Sequence, residues 1–463
     1  MPLHLKSCRR ADYSLLQSAV AHVARQKGEI SSFTAAEHPK MQALNAGLEQ
    51  LRTGRPVTDA MTSEFGVPAQ CIDLLARYAK AAIFGPEQEA YDIKHNELPF
   101  SPCDVEGWAT AVIDYVDYYR NSTIHPQYVY WQNLTDFVYP LPEVGTLTIG
   151  ILGDWGTGEP VAEAVLKNLM LANPDLIIHV GDIYYAGTEE QCKDSFLKVI
   201  RTYAPKTPIY TLPGNHEYYS GGAGYYSVLP QLNQLPQVQQ ASFFCLYNIW
   251  LQLQGMDTGY NASNLIEDIA GDEPATSLND SDPQHEETAW LMHQITNGVA
   301  ASRRIILLSH HQPYSAYGSI AKQPLNPNLL NSFAGPLAAG NITAWLWGHE
   351  HVCEVYRSPI SLPSPVGKTY EVKGRCLGHS AFPVLTSESP YKIANQNIAK
   401  FAESYRLGVS SDNEVYNRGY IILKLSPASG QASYYEVDGS SSHAEGVRFK
   451  ETLYGATQAI AAP

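Results

Sequence analysis

Asp154 stands in the stretch LGDWGTGEP, residues 152–160, directly after an apolar run and ahead of further glycines. Alone, a Gly-Asp pair at the end of such a run is ordinary turn chemistry. The construction recurs, however. IIHVGDIYYAG sets Asp182 after a second run, IYTLPGNHE sets Asn215 and His216 after a third, ILLSHHQPYS sets His310 and His311 after a fourth, and WLWGHEH sets His349 and His351 after a fifth. Carboxylates, a carboxamide and imidazoles together suit Zn²⁺, Mn²⁺ or iron rather than Ca²⁺ or Cu(I). They exceed the needs of one ion. Two ions roughly 3.5–4 Å apart, sharing one carboxylate, would use them all, and such a pair forms the clamp that hydrolyses phosphate esters. The His349-x-His351 spacing fits, because alternate residues just past a strand turn toward two neighbouring ions.

Donors so far apart in sequence meet only if the runs before them are strands whose carboxyl ends share one edge. After residue 145 the chain has that pattern: TLTIGIL, LIIHV, PIYTL, FFCLYNIWLQLQG, RRIILLS, TAWLWG, GYIILKL and ASYYEV are short β-rich runs alternating with helical stretches. Glycines before Asp154, Asp182, Asn215 and His349 give a backbone turning beside an ion room or positive φ. Before residue 145 the apolar spacing is helical, as in Leu16, Val20 and Val23, in Ile72, Leu75, Ala79 and Ile83, and in Trp108, Val112, Val116 and Tyr119. Three regions are therefore expected: a helical domain over 1–144, a catalytic α/β domain over 145–440 and a tail over 441–463.

At 463 residues, 44% hydrophobic and 17% charged, the chain buries a sizeable core and holds more than one domain. The formal charge of −15 argues against a nucleic-acid backbone as partner, while a small phosphorylated ligand is compatible with it. No apolar run is long enough to span a bilayer. The opening MPLHLKSCRRADYSLL lacks an apolar leader, so a cytoplasmic location is expected. Seven scattered cysteines without C-x-x-C spacing are expected to be buried apolar side chains.

In order, the motifs GDWG, GDIYY, GNHE, LLSH and GHEH resemble those of the calcineurin-like metallophosphoesterases, and among them the purple acid phosphatases. The resemblance spans about residues 146–440. It includes GMDTG at 255–259 and the helix QHEETAWLMHQI. The first motif has no histidine after its aspartate, and a tyrosine, Tyr185, follows Asp182 by three residues, which is the purple acid phosphatase variant. The resemblance implies a four-layer α/β/β/α sandwich behind the helical segment. It further implies one ion on Asp154, Asp182, Tyr185 and His351, and a second on Asp182, Asn215, His310 and His349, with Asp182 bridging. Iron paired with zinc, manganese or a second iron is the implied cofactor, and a metal-held hydroxide attacking a phosphate monoester the implied chemistry. His216 would lie in the outer sphere and serve the phosphate or the leaving alkoxide.

The chain departs from the family pattern in its helical amino-terminal part, in its lack of a leader, and in QPYSAYGSI, which has no second outer-sphere histidine after His310. His311 stays open beside His310 as the ligand of its motif. His379 is expected to be structural, and Tyr218, Tyr219, Tyr225 and Tyr226 either wall a substrate pocket or pack their loop. A phosphodiesterase, and a non-catalytic metal-binding or scaffold protein of the same fold, remain as the other readings.

Overall fold

The computed structural model describes residues 87–455 apart from 102–103, 120–124, 266–274, 318–319, 321–322, 357–359, 364–368 and 393–404. The helices expected before residue 87 lie outside the described residues. In chain order the strands are β1 (Val138–Pro140), β2 (Leu147–Leu152), β3 (Leu176–His179), β4 (Ile209–Thr211), β5 (Phe244–Tyr247), β6 (Leu251–Gly255), β7 (Arg304–Leu308), β8 (Ile342–Trp347), β9 (Cys353–Val355), β10 (Ile360–Pro363), β11 (Thr369–Val372), β12 (Gly374–Leu377), β13 (Arg418–Leu425), β14 (Gly430–Val437) and β15 (Ala444–Tyr454). The helices that matter here are α1 (Val105–Tyr119), α2 (Pro160–Met170), α3 (Asn215–Tyr219), α4 (Ala223–Leu232) and α5 (Glu287–Ala300).

One sheet runs β15-β14-β13-β2-β3-β4 and the other β1-β5-β6-β7-β8-β12-β9, with β10 and β11 forming a separate hairpin. Strands β2, β3 and β4 are mutually parallel, with Leu152, His179 and Thr211 in register, so Asp154, Asp182 and Asn215 leave from one edge. Strands β6, β7 and β8 are parallel as well, which delivers His310 and His349 from one edge of the second sheet.

Alternation explains why the sheets stack. Ile149, Ile151, Ile178, Ile421 and Leu423 share a core with Leu253, Ile306, Leu308 and Leu346 of the opposite sheet. Their neighbours Leu152, Ile177, Tyr420 and Ile422 face the other way, onto Val161, Val165, Leu166 and Leu169 of α2. On the far side α5 seals the second sheet with Trp290, Leu291 and Ile295. The four-layer α/β/β/α expectation describes this arrangement. Because both faces of the parallel strands are covered, β3 and β7 read as nearly unbroken apolar runs rather than as alternation.

Two strands of the sheets lie outside the bounds expected for the α/β domain. Strand β1 pairs in parallel with β5, so the α/β unit begins before residue 145; a three-residue strand is too short to show a period. The expected tail contains β15, the edge strand beside β14. Its residues are mostly exposed or half-buried, so no hydrophobic pattern announces it. The single run FFCLYNIWLQLQG folds as the hairpin β5–β6, turned by Asn248, whose Oδ1 accepts the Trp250 and Leu251 amides at 3.0 and 2.8 Å.

Candidate metal centre

Asp154 and Asp182 are almost fully buried at their strand ends. Among the described residues neither pairs with a lysine or arginine. Burial would raise the Asp182 carboxyl, but the imidazoles of His216 and His310 beside it hold it well below the usual carboxylate range. The same contact raises His310 above its ordinary value despite burial.

His310 and Asn215 are anchored on their outer ends and each leaves a ligand atom facing inward. His310 gives its Nδ1 proton to the Val180 carbonyl at 2.9 Å, so Nε2 faces Asp182 Oδ1 at 3.3 Å and Asn215 Oδ1 at 3.1 Å. Asn215 donates Nδ2 to the Tyr219 hydroxyl at 2.6 Å, which turns its oxygen inward. His349 Nδ1 lies 3.3 Å from His310 Nε2. His351 Nε2 lies 3.3 Å from Asp154 Oδ1 and 3.0 Å from the hydroxyl of Tyr184.

The two oxygens of Asp182 divide these donors. Oδ1 faces His310, whose Nε2 meets Asn215 and His349, whereas Oδ2 faces the Tyr184 hydroxyl at 3.1 Å, which also meets Asp154 at 3.1 Å and His351. Donor atoms of Asp154, Asp182 and His310 lie within 4.8 Å of one another, and so do those of His310, His311 and His349. Hard oxygen and borderline nitrogen donors converge without a lysine or arginine to balance them, so the residues fit a pair of cations.

Tyr185, expected from the second motif, is not in this cluster. Its hydroxyl points away, donating to Asp104 and accepting the Phe100 amide at 3.1 Å, while its ring stacks on Phe100 with centroids 4.4 Å apart. Tyr184 takes the inward place. Burial, with Asp154 and Asp182 close by, pushes its phenol well above the ordinary tyrosine value when no cation is present. His311 lies beside His349, rings 4.3 Å apart, but its Nδ1 and amide both meet Thr258 Oγ1; burial and the two adjacent imidazoles push it well below its ordinary value. His216 sends Nδ1 to the Tyr185 carbonyl at 2.6 Å and keeps Nε2 toward Asp182 Oδ2 at 3.7 Å.

The backbone is bent hard to make this cluster. Asp154, Asp182, His349 and His351 have φ of 56°, 74°, 72° and 53°, a region non-glycine residues seldom occupy. Gly214 and Gly348 supply room rather than φ. A Cβ on Gly214 would overlap Asp182 Oδ1 and come 2.6 Å from His310 Nε2, and one on Gly348 would come 2.6 Å from Asp154 Oδ2.

Residues 147–353 match the family model for calcineurin-like phosphoesterases. The chain carries a calcineurin-like phosphoesterase domain. A purple acid phosphatase is among the proteins it resembles. Tartrate-resistant acid phosphatase type 5 of Rattus norvegicus is 25% identical over 226 residues, covering 44% of this chain and 67% of that protein. Purple acid phosphatase 22 of Arabidopsis thaliana is 22% identical over 236 residues, 49% of this chain and only 50% of that protein. A purple acid phosphatase, PPD1, from yellow lupin (Lupinus luteus) seeds superposes with a TM-score of 0.44 at 14% identity, covering 70% of this chain and 59% of its own. Members of this metallophosphoesterase family bind two metal ions. No described helix of the chain is long and apolar enough to cross a membrane.

Around the phosphoesterase site stand residues that no motif marked. Phe382 stacks on the His351 ring at 3.7 Å, and Trp108 of α1 approaches His216 at 5.9 Å. Of the four tyrosines after the third motif, Tyr219 holds Asn215, while Tyr218, Tyr225 and Tyr226 bond Asp257, the Thr211 carbonyl and Ser242, so these three pack the loop. His379 is buried, which lowers it to about 4 and keeps it neutral.

Glu159, at the start of α2, is pushed up to about 7 by burial and by nearby Asp104. The folded carboxyl holds its proton more tightly than the unfolded one, so stability falls as pH rises from about 4.5 to about 7 and the loss is complete above that. Glu159→Gln is therefore expected to leave Tm unchanged at pH 4 and to raise it by about 2–4 °C at pH 8. Thermal melts of both proteins across that range check the sign, and an equal gain at both pH values would contradict it.

Proposed function

We propose that this site holds two metal ions and hydrolyses phosphate monoesters. The observation that carries the reading is the division at Asp182, one oxygen toward each group of donors. Asp154, Tyr184 and His351 would hold one ion, Asn215, His310 and His349 the other, and Asp182 both. When bound, the ions supply positive charge against the phosphoryl oxygens and lower the pKa of water.

The chain's own residues do the rest. His216 is buried among the rings of Tyr184 and Tyr219, 4.5 and 4.7 Å away, and its Nδ1 is committed to the Tyr185 carbonyl. Its Nε2 is then the atom that takes up a proton, and the imidazolium so formed donates to a phosphoryl oxygen or to the departing alkoxide. Trp108 and Phe100 cluster with Phe382 beside this edge.

Purified protein should contain about two transition-metal ions per chain by elemental analysis. Chelated and then reloaded with iron, zinc or manganese, it should hydrolyse glycerol phosphate and nitrophenyl phosphate at least about tenfold more efficiently than bis(nitrophenyl) phosphate or a cyclic nucleotide. Preference for the diesters would replace this reading with the phosphodiesterase one. Bound metal without hydrolysis of any ester would favour the scaffold.

A further inference from the structure

The phosphoesterase match begins at residue 147, yet Phe100, Asp104 and Trp108 stand beside the site from outside it. Asp104 precedes α1 and caps it, its Oδ1 accepting the Gly107 amide at 3.1 Å. Its Oδ2 is turned elsewhere, accepting the Tyr185 hydroxyl and, at 3.3 Å, the Phe100 amide. Tyr185 is thereby held at its far end, against Phe100 on one face and the Trp108 edge at 5.3 Å. Gly107 makes the fit possible, because a Cβ there would come 2.6 Å from a ring carbon of Tyr185 and closer still to others. The near end of the same residue is the carbonyl that accepts His216 Nδ1 at 2.6 Å.

We propose that Asp104 is a positioning residue for His216, acting through Tyr185. The hydrogen bonds of Asp104 go to Phe100, Tyr185 and Gly107, and to none of the cluster's donors. It fixes the side chain of Tyr185, Tyr185 fixes the carbonyl, and the carbonyl keeps the imidazole proton on Nδ1 so that Nε2 faces Asp182. Trp108, on the first turn of α1, stands beside the same imidazole, ring centroids 5.9 Å apart. The segment before the phosphoesterase match thus sets the aim of the residue that serves the leaving group. This assignment rests on the hydrolytic role proposed for His216.

Three variants separate aim from fold. Asp104→Ser keeps a capping oxygen for α1 but is too short to reach Tyr185. Asp104→Asn keeps one oxygen, which can accept from that hydroxyl when the amide turns its nitrogen toward Gly107 and gives up the cap. Tyr185→Phe removes the hydroxyl and leaves the cap untouched. With two ions loaded, Asp104→Ser and Tyr185→Phe should each lower kcat for glycerol phosphate about tenfold, with KM changed less than about twofold and nitrophenyl phosphate slowed less than about threefold. Asp104→Asn should stay within about threefold of wild type, and the Ser/Phe double variant should be no worse than either single one.

A second measurement needs no turnover. In protein labelled with ¹⁵N-histidine, the His216 ring, assigned by its disappearance in His216→Ala, should be the Nδ1–H tautomer in wild type and a mixture in Asp104→Ser and Tyr185→Phe. Equal losses on both esters, additive losses in the double variant, or an unchanged tautomer would overturn the positioning role. If loaded wild type hydrolyses no phosphate ester, the phosphoesterase reading falls by itself, and the tautomer still decides whether Asp104 positions His216.

Discussion

Asp182→Asn is expected to deplete both ion positions together and to lower kcat for phosphate monoesters by at least about a hundredfold. The expectation comes from where the two oxygens point. Oδ1 lies 3.3 Å from His310 Nε2, and Oδ2 lies 3.1 Å from the Tyr184 hydroxyl, so replacing either oxygen by an amide nitrogen aims a donor at a cation. The carboxylate is 1% exposed, and the imidazoles around it hold it ionised, which an amide cannot reproduce. Asp154→Asn should differ. Asp154 Oδ1 meets only the Tyr184 and His351 side, while Oδ2 accepts the His349 amide at 2.8 Å, so its loss should deplete one position more than the other. Metal content and turnover are measured on the same samples. Two ions per chain with near-normal turnover in Asp182→Asn would remove the bridge.

Iron-loaded wild type should be pink to violet, Tyr184→Phe should bleach it, and Tyr185→Phe should leave the colour in place. A phenolate on Fe(III) absorbs visible light, and a trivalent ion ionises a tyrosine far below its usual pKa of about 10. Tyr184 is placed for this, its hydroxyl within 3.1 Å of Asp154, Asp182 and His351. The Tyr185 hydroxyl belongs to Asp104 and Phe100. Tyr185→Phe should therefore act on the aim of His216 and not on the spectrum. Bleaching by Tyr185→Phe with colour kept in Tyr184→Phe would reverse the assignment.

Those adjacent tyrosines also show where sequence runs out. Repeated strand-end donors led to Asp154, Asp182, Asn215, His310, His349 and His351, which the structure brings together, because a carboxylate or imidazole after an apolar run is conspicuous and parallel strands deliver their ends to one edge. GDIYY holds two phenols, and spacing from Asp182 cannot say which turns inward; that is decided by Asp104, about eighty residues earlier. His310 and His311 pose the same problem, and it takes the Val180 carbonyl and Thr258 to separate them. The sandwich was legible through β2, β3, β4, β7 and β8, whose burial on both faces leaves apolar runs. Strand β15 was not, since an exposed edge leaves no such record. Phe382 and Trp108 had no signal at all, as an aromatic ring beside a site reads like any core residue.

The position of β13 bears on how the protein is made. This strand, residues 418–425, lies antiparallel against β2 and separates it from β14, so it is an interior member of the sheet that carries Asp154, Asp182 and Asn215. During synthesis β2, β3 and β4 leave the ribosome long before β13 exists, and until it arrives β2 presents an unpaired apolar edge. The nascent chain is consequently most open to mispairing while its first ion-binding residues are already made. A shortened gene product ending at residue 353, where the family match stops, would keep all the cluster's donors and still lack the strand that closes their sheet, so it would meet the cell as an aggregating fragment rather than as a smaller enzyme.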